Sequence, residues 1–227
     1  MRPHVGPTLR RLQASRSYGF VLLLILFMFA FIAAAPDEAW PRAVLVLLLA
    51  TTLAVALWTS AVPGPIDRAA VVLVVIGTTG AALQLLTDSS NAIGLLGLLD
   101  VLLIALSCAV IVRGIEDEHG VNIQSVLGAL CVYLLIGMLY TFTYGAIATL
   151  ESGPFFAQGT EGTPSIRLYF SIVTLATVGY GDYSANTDLG RTVAASEGLL
   201  GQIYLVTVVA VIVSRLRPAR QERTNEQ

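Results

Sequence analysis

The 227 residues are 56% hydrophobic and only 12% charged, with a net charge of −2 and a mean hydropathy of +0.77. That balance lies well outside the range of a soluble globular domain, and the absence of a basic excess argues against nucleic acid as a partner. The chain reads as an all-α membrane protein.

A basic tail over residues 1–17 precedes the first uncharged stretch, residues 18–35. Arg10 and Arg11, this apolar run and Ala33, Ala34 and Ala35 together resemble a secretory signal with its cleavage site. Pro36 would directly follow the scissile bond, however, and the run is long for a signal core, so the segment is expected to be retained. Further uncharged stretches cover residues 43–63, 69–87 and 121–150, while 93–112 holds the single acid Asp100 and 192–214 holds Glu197. Each is near or above the ~20 residues a helix needs to cross hydrocarbon. Backbone groups in lipid must be satisfied internally, and these segments are too long for barrel strands, so six transmembrane helices are expected. Cys108 and Cys131 both fall inside spans, and no disulfide is expected.

All 13 basic residues are arginines. In a six-pass arrangement Arg2, Arg10, Arg11, Arg16, Arg68, Arg113, Arg215, Arg217, Arg220 and Arg223 fall on one side, and only Arg42, Arg167 and Arg191 on the other. The positive-inside rule then puts both termini in the cytoplasm of a multi-pass cell-membrane protein. The only charge-dense internal loop, RGIEDEHGVN at residues 113–122, is the best boundary between two membrane domains.

The fourth span carries Asp100 as its only charge, with Arg113 just beyond its end. A voltage sensor needs several regularly spaced arginines there, so these helices have nothing to carry gating charge. Asp100 lies about 12 Å along its helix from the outer end. It reads either as a membrane-embedded sensor or link to the next domain, or as a packing residue bonded to Thr51, Thr52, Thr78 or Thr79.

Residues 151–176, between the last two spans, are too few to cross the bilayer and return, so they must be re-entrant. Thr163 followed by Pro164 is an N-cap and first-turn proline, which predicts a short helix from Pro164 to about Ala176. Its C-terminus points into the membrane, where the negative end of its dipole favours a cation. Next comes TVGYGD, Thr177 to Asp182. Irregular backbone at membrane depth is tolerated where it is buried in protein or lines a water-filled path. Gly179 and Gly181 allow the alternation of left- and right-handed conformations that aims successive carbonyls at one axis.

With this loop the stretch over residues 121–214 resembles the pore module of the potassium channel superfamily, whose filter is the TVGYG motif. Thr174 completes the T-x-x-T-V-G-Y-G-D pattern, Gly190-Arg191 follows at the family's usual distance, and EGLLGQIYLV at residues 197–206 looks like inner helices of bacterial voltage-independent channels. The resemblance implies a selectivity filter at Thr177, Val178, Gly179, Tyr180 and Gly181, with potassium ions held at Thr177, Val178, Gly179 and Tyr180. It implies filter support from Asp182 and Thr174 and a gating hinge at Gly201, and Tyr169 and Glu197 are expected to add to that support by their positions. Four copies of the single loop are needed to surround an ion, so a homotetramer is expected.

This chain departs from the family at Ala176, where a third threonine is usual, and at Tyr169 and Phe170, where tryptophans are usual. Val173 stands where some bacterial channels have a glutamate bonding the filter aspartate, a role Tyr169 is placed to take towards Asp182. Glu197 is expected to face the pore helix as a structural hydrogen-bonding group, and Tyr133, Tyr140 and Tyr144 to serve packing. The organisation expected is a cytoplasmic tail (1–17), a four-helix domain (18–115), a pore domain (116–214) and a second cytoplasmic tail (215–227). With no metal cluster and no nucleophile-base pair in the sequence, no enzyme and no cofactor beyond permeant potassium are expected. The partners expected are potassium ions, membrane lipids and further copies of the chain. The alternative is a non-conducting membrane subunit or receptor that keeps the pore fold for assembly.

Overall fold

A computed structural model describes residues 18–36, 39–60, 71–72, 74–79, 90–116 and 123–216. The basic tail, most of the 69–87 stretch, most of the polar link and the tail beyond residue 216 lie outside the described residues. Six helices are labelled in chain order: α1 (Tyr18–Ala34), α2 (Ala39–Ser60), α3 (Ser90–Glu116), α4 (Ile123–Leu150), α5 (Pro164–Leu175) and α6 (Asp188–Leu216). Residues 71–72 and 74–79 are also helical. Among the described residues there is no strand, and Phe156 forms isolated β-bridges with Thr160 and Ala185.

Composition explains how these helices pack. α1 is apolar on every side, so burial cannot follow an amphipathic stripe. It buries Val21, Ile25, Met28 and Ile32 along one face while leaving Phe20 and Phe27 more than half exposed on another. Large apolar side chains facing outward on a helix of this kind are expected where the surroundings are lipid. Pro36 has no amide hydrogen and disfavours helical backbone before it, and α1 ends just upstream, closed by the Ala35 amide on the Phe31 carbonyl (2.8 Å). Trp40–Thr59 and Ile123–Leu150 are long and apolar enough to cross a membrane, and Tyr18–Ala34 is a shorter apolar helix.

One hydrophobic core runs from α1 to α5, joining Ile25, Leu53, Leu103, Ile111, Leu135 and Leu175. α3 packs along α4 and α2, and α4 also meets α1, α5 and α6. Polar ties reinforce the seam between the first helix and the fourth: the Tyr18 amide donates to Gln124 Oε1 (2.9 Å), and the Cys131 thiol to the Tyr18 carbonyl (3.6 Å). Both cysteines are free.

The threonines considered as partners for Asp100 turn elsewhere. Thr51, Thr52, Thr78 and Thr79 each donate to a carbonyl three or four residues back on their own helices, at 2.6–3.1 Å. That local bond is always within reach of a helical threonine, whereas a partner on another helix must be positioned by packing.

Candidate functional site

Thr163 and Pro164 start α5 as the sequence predicts. Thr163 is extended (φ −72°, ψ 165°), its hydroxyl accepts from the Ile166 amide (3.3 Å), and Pro164 occupies the first turn. The N-terminal end is held by a knot of rings, Tyr144, Phe155, Phe156 and Phe170, with centroid separations of 4.8–6.4 Å. The chain returning from the loop is laced to this knot: the Ala157 amide donates to the Ser184 carbonyl (2.9 Å) and the Asn186 amide to the Phe155 carbonyl (2.8 Å). Gly190 fits because a Cβ there would lie 3.1 Å from Ala185 Cβ and from Phe155 Cε2.

At the other end of α5 the backbone departs from ordinary geometry. Thr177, Gly179 and Gly181 have φ of +56°, +52° and +78°, and neither Val178 nor Tyr180 has positive φ, so handedness alternates residue by residue. Glycine adopts this conformation without penalty, but a β-branched threonine does so at a cost of order 1–3 kcal/mol. Thr177 is the one described non-glycine residue with positive φ. Three hydrogen bonds hold the start of the loop against the end of the helix. The Thr177 amide donates to the Thr174 carbonyl (2.9 Å), and the Val178 and Gly179 amides both donate to the Val173 carbonyl (2.8 and 3.1 Å). The amides of Thr177, Val178 and Gly179 are thus turned to the end of α5.

Behind the loop, Tyr169 donates to Asp182 Oδ2 (2.8 Å), and its ring stacks on Tyr180 with planes 3° apart and centroids 6.5 Å apart. One tyrosine thus ties the outer end of the loop back to α5 by a charge-assisted bond and a ring contact.

Glu197 on α6 is wholly buried. Its carboxyl oxygens bond the hydroxyls of Tyr144 on α4 and Ser171 on α5, so one side chain links three helices. The Ser171 hydroxyl also lies 2.7 Å from the Gly137 carbonyl, and it has one proton to give. Tyr144 and Ser171 escape a reading of the sequence, since they lie 53 and 26 residues from Glu197 and no local spacing couples them.

Gly201 faces the last residue of α5. A Cβ there would press on the Leu175 carbonyl oxygen and lie 2.9 Å from Leu175 Cδ1 and 3.1 Å from the Leu175 carbonyl carbon. α6 is one helix through this point. Nearby, Tyr204 donates to the Ala129 carbonyl (2.6 Å), fastening α6 to α4. Asp100 lies apart from this constellation, on α3, buried and with Oδ1 unpartnered.

Residues 128–217, which contain α5, the loop and nearly all of α4 and α6, match a family model described as ion channel. A stretch of 104 residues is 29% identical to the inward rectifier potassium channel Kirbac3.1 of Paramagnetospirillum magnetotacticum, covering 45% of this chain and 35% of that protein. The chain therefore matches about a third of that relative's length. No solved structure matches the chain.

Proposed function

We propose that the chain is one subunit of a homotetrameric, potassium-selective channel that conducts passively in the cell membrane of a bacterium. Six helices span the bilayer with both termini in the cytoplasm. Residues 116–214 form the pore domain, and residues 18–115 form a four-helix domain without gating charges. The observation that carries this reading is the alternation of φ through Thr177, Val178, Gly179, Tyr180 and Gly181, upheld at a threonine against its conformational preference. Backbone strain of this kind persists where the surroundings enforce it and a site uses it. Stacked carbonyls and the Thr177 hydroxyl can take the place of a potassium ion's hydration shell.

A single loop surrounds nothing, so the strain has a use only in a ring of subunits. In one chain Val178 and Tyr180 are 52% and 72% exposed, and Leu199, Ile203 and Val206 form an apolar stripe on α6 with more than half of each exposed. Neighbouring subunits and lipid would cover these surfaces. The match to ion channels and the likeness to an inward rectifier potassium channel support the same reading over the same residues.

Liposomes holding the purified protein test it. Potassium and rubidium should enter far faster than sodium, and Gly181→Asp, which puts a side chain at φ +78°, should weaken that discrimination. Equal sodium and potassium uptake would refute the potassium selectivity, and no uptake at all would favour a non-conducting subunit that keeps the pore fold.

A further inference from the structure

Three helices meet around Gly128, one turn into α4. A Cβ there would lie 2.8 Å from Ile115 Cδ1 on α3 and 3.4 Å from Tyr18 Cδ2 on α1, so the missing side chain leaves the space that both neighbours fill. On either side of Gly128, Gln124 accepts from the Tyr18 amide and Cys131 donates to the Tyr18 carbonyl, which pins the first residue of α1 to α4. The start of α1 and the end of α3 are thus both seated on the start of α4.

The faces between these helices close within one chain. Val21 and Ile25 of α1, Leu103 and Ile111 of α3, and Cys131 and Leu135 of α4 are wholly buried with no second copy present. If α1, α2 and α3 packed instead on the α4 of a neighbouring subunit, those faces would stay open until that neighbour covered them. The connection also favours the chain's own α4. α3 ends at Glu116 and α4 begins at Ile123, which leaves residues 117–122 to join them. Six residues reach at most about 20–25 Å, and packed helices lie about 8–10 Å apart, so the α4 that follows in sequence is the one α3 meets first.

The same packing extends to the pore helix. α1 touches α5, and the shared core includes Leu168 and Leu175 of α5. Among the described helices the backbone of α6 approaches only α4 and α5, although the Tyr204 side chain packs against that core. The apolar stripe of Leu199, Ile203 and Val206 on α6 stays exposed.

We propose that the helices before residue 117 are not exchanged between subunits: each set packs on α4 and α5 of its own chain, and neighbouring copies meet through their pore modules. The accessory helices then bear on the Thr177–Gly181 loop of their own subunit, through α1 on α5. The proposal rests on the homotetramer reading, because exchange has a meaning only between copies.

Tyr18→Cys beside the native Cys131, in a Cys108→Ala background, tests this in the full-length protein. Membranes are treated with a short apolar thiol-bridging reagent, and denaturing gels with peptide mapping show which chains become joined. Residues 18 and 131 should be bridged within one chain, so that both thiols are consumed while the protein still runs as a monomer. Ile115→Cys with Gly128→Cys, with both native cysteines replaced by alanine, gives a second pair that leaves Tyr18 intact. A Cβ on Gly128 would lie 3.0 Å from Ile115 Cγ1, which brings the two Cβ atoms to about the 3.5–4.5 Å that a disulfide spans. Oxidation should again yield monomers with an internal bridge. A ladder of covalent dimers to tetramers from either pair would overturn the proposal, and so would the absence of any bridge in both. Native mass spectrometry of the unbridged protein counts subunits separately. A monomer there would remove the tetramer reading and the proposal with it, whereas tetramers bridged between chains would overturn the proposal alone.

Discussion

Gly201→Ala separates two roles for the glycine within the inner helix, a hinge or a close contact. In an exposed helix interior the change would stabilise by about 1 kcal/mol through helix propensity. Here the new methyl would press on the Leu175 carbonyl oxygen and lie 3.1 Å from its carbonyl carbon, and backbone cannot rotate away as a side chain could. Overpacking of this kind costs about 1–3 kcal/mol, so the net effect should be a loss of up to about 2 kcal/mol per subunit. Leu175 lies two residues before Thr177, so the displacement should reach the start of the Thr177–Gly181 loop. Gly198 supplies a matched control, because a Cβ there lies 3.6 Å from the Thr174 carbonyl, an ordinary contact. Thermal melting of the protein in detergent should show Gly201→Ala lowered and Gly198→Ala unchanged or raised, with potassium selectivity reduced in the first alone. A Gly201→Ala protein that melts no lower than wild type but opens with altered probability would refute the contact and restore the hinge.

Further outcomes follow from the same geometry. Glutamine can offer a carbonyl to Tyr144 and an N–H to Ser171, so Glu197→Gln should keep the protein's stability, while Glu197→Ala should cost about 1–3 kcal/mol for each hydroxyl left unpaired. Equal melting temperatures for the two variants would show the network to be idle. Tyr169→Phe retains the ring on Tyr180 but loses the bond to Asp182, so single-channel recordings should show potassium selectivity kept and shorter filter openings; unchanged open times would argue against a bracing role. α3 carries only Asp100, Arg113 and Glu116, and one charge crossing 100 mV is worth about 2.3 kcal/mol, so opening should depend only shallowly on voltage. Gating currents of several charges per subunit would contradict that.

What the sequence discloses is mostly local. The Thr163-Pro164 start of α5 is legible because cap and first-turn proline act on adjacent backbone, and Gly179 and Gly181 announce positive φ because only glycine adopts it freely. Thr177 gives no such sign. Its own preference opposes φ +56°, and the neighbouring Val178 and Gly179 amides tied to the Val173 carbonyl help to hold the loop there. Tyr169 and Asp182 can be paired by inspection because both flank the Thr177–Gly181 loop, whereas Tyr144, Ser171 and Glu197 meet only after three helices pack. Asp100 is conspicuous as an acid in an apolar run, yet its surroundings depend on Arg42 and Arg167, far away in sequence.

The central claim is that this loop passes potassium in preference to sodium. Its most direct measurement is the reversal potential across a planar bilayer holding the purified protein, with potassium on one side and an equal concentration of sodium on the other. The alternating carbonyls of Thr177 to Gly181 should displace that potential strongly toward the potassium equilibrium potential, with the displacement diminished in Gly181→Asp. A reversal potential at zero, carried by a current of wild-type protein, would contradict the claim.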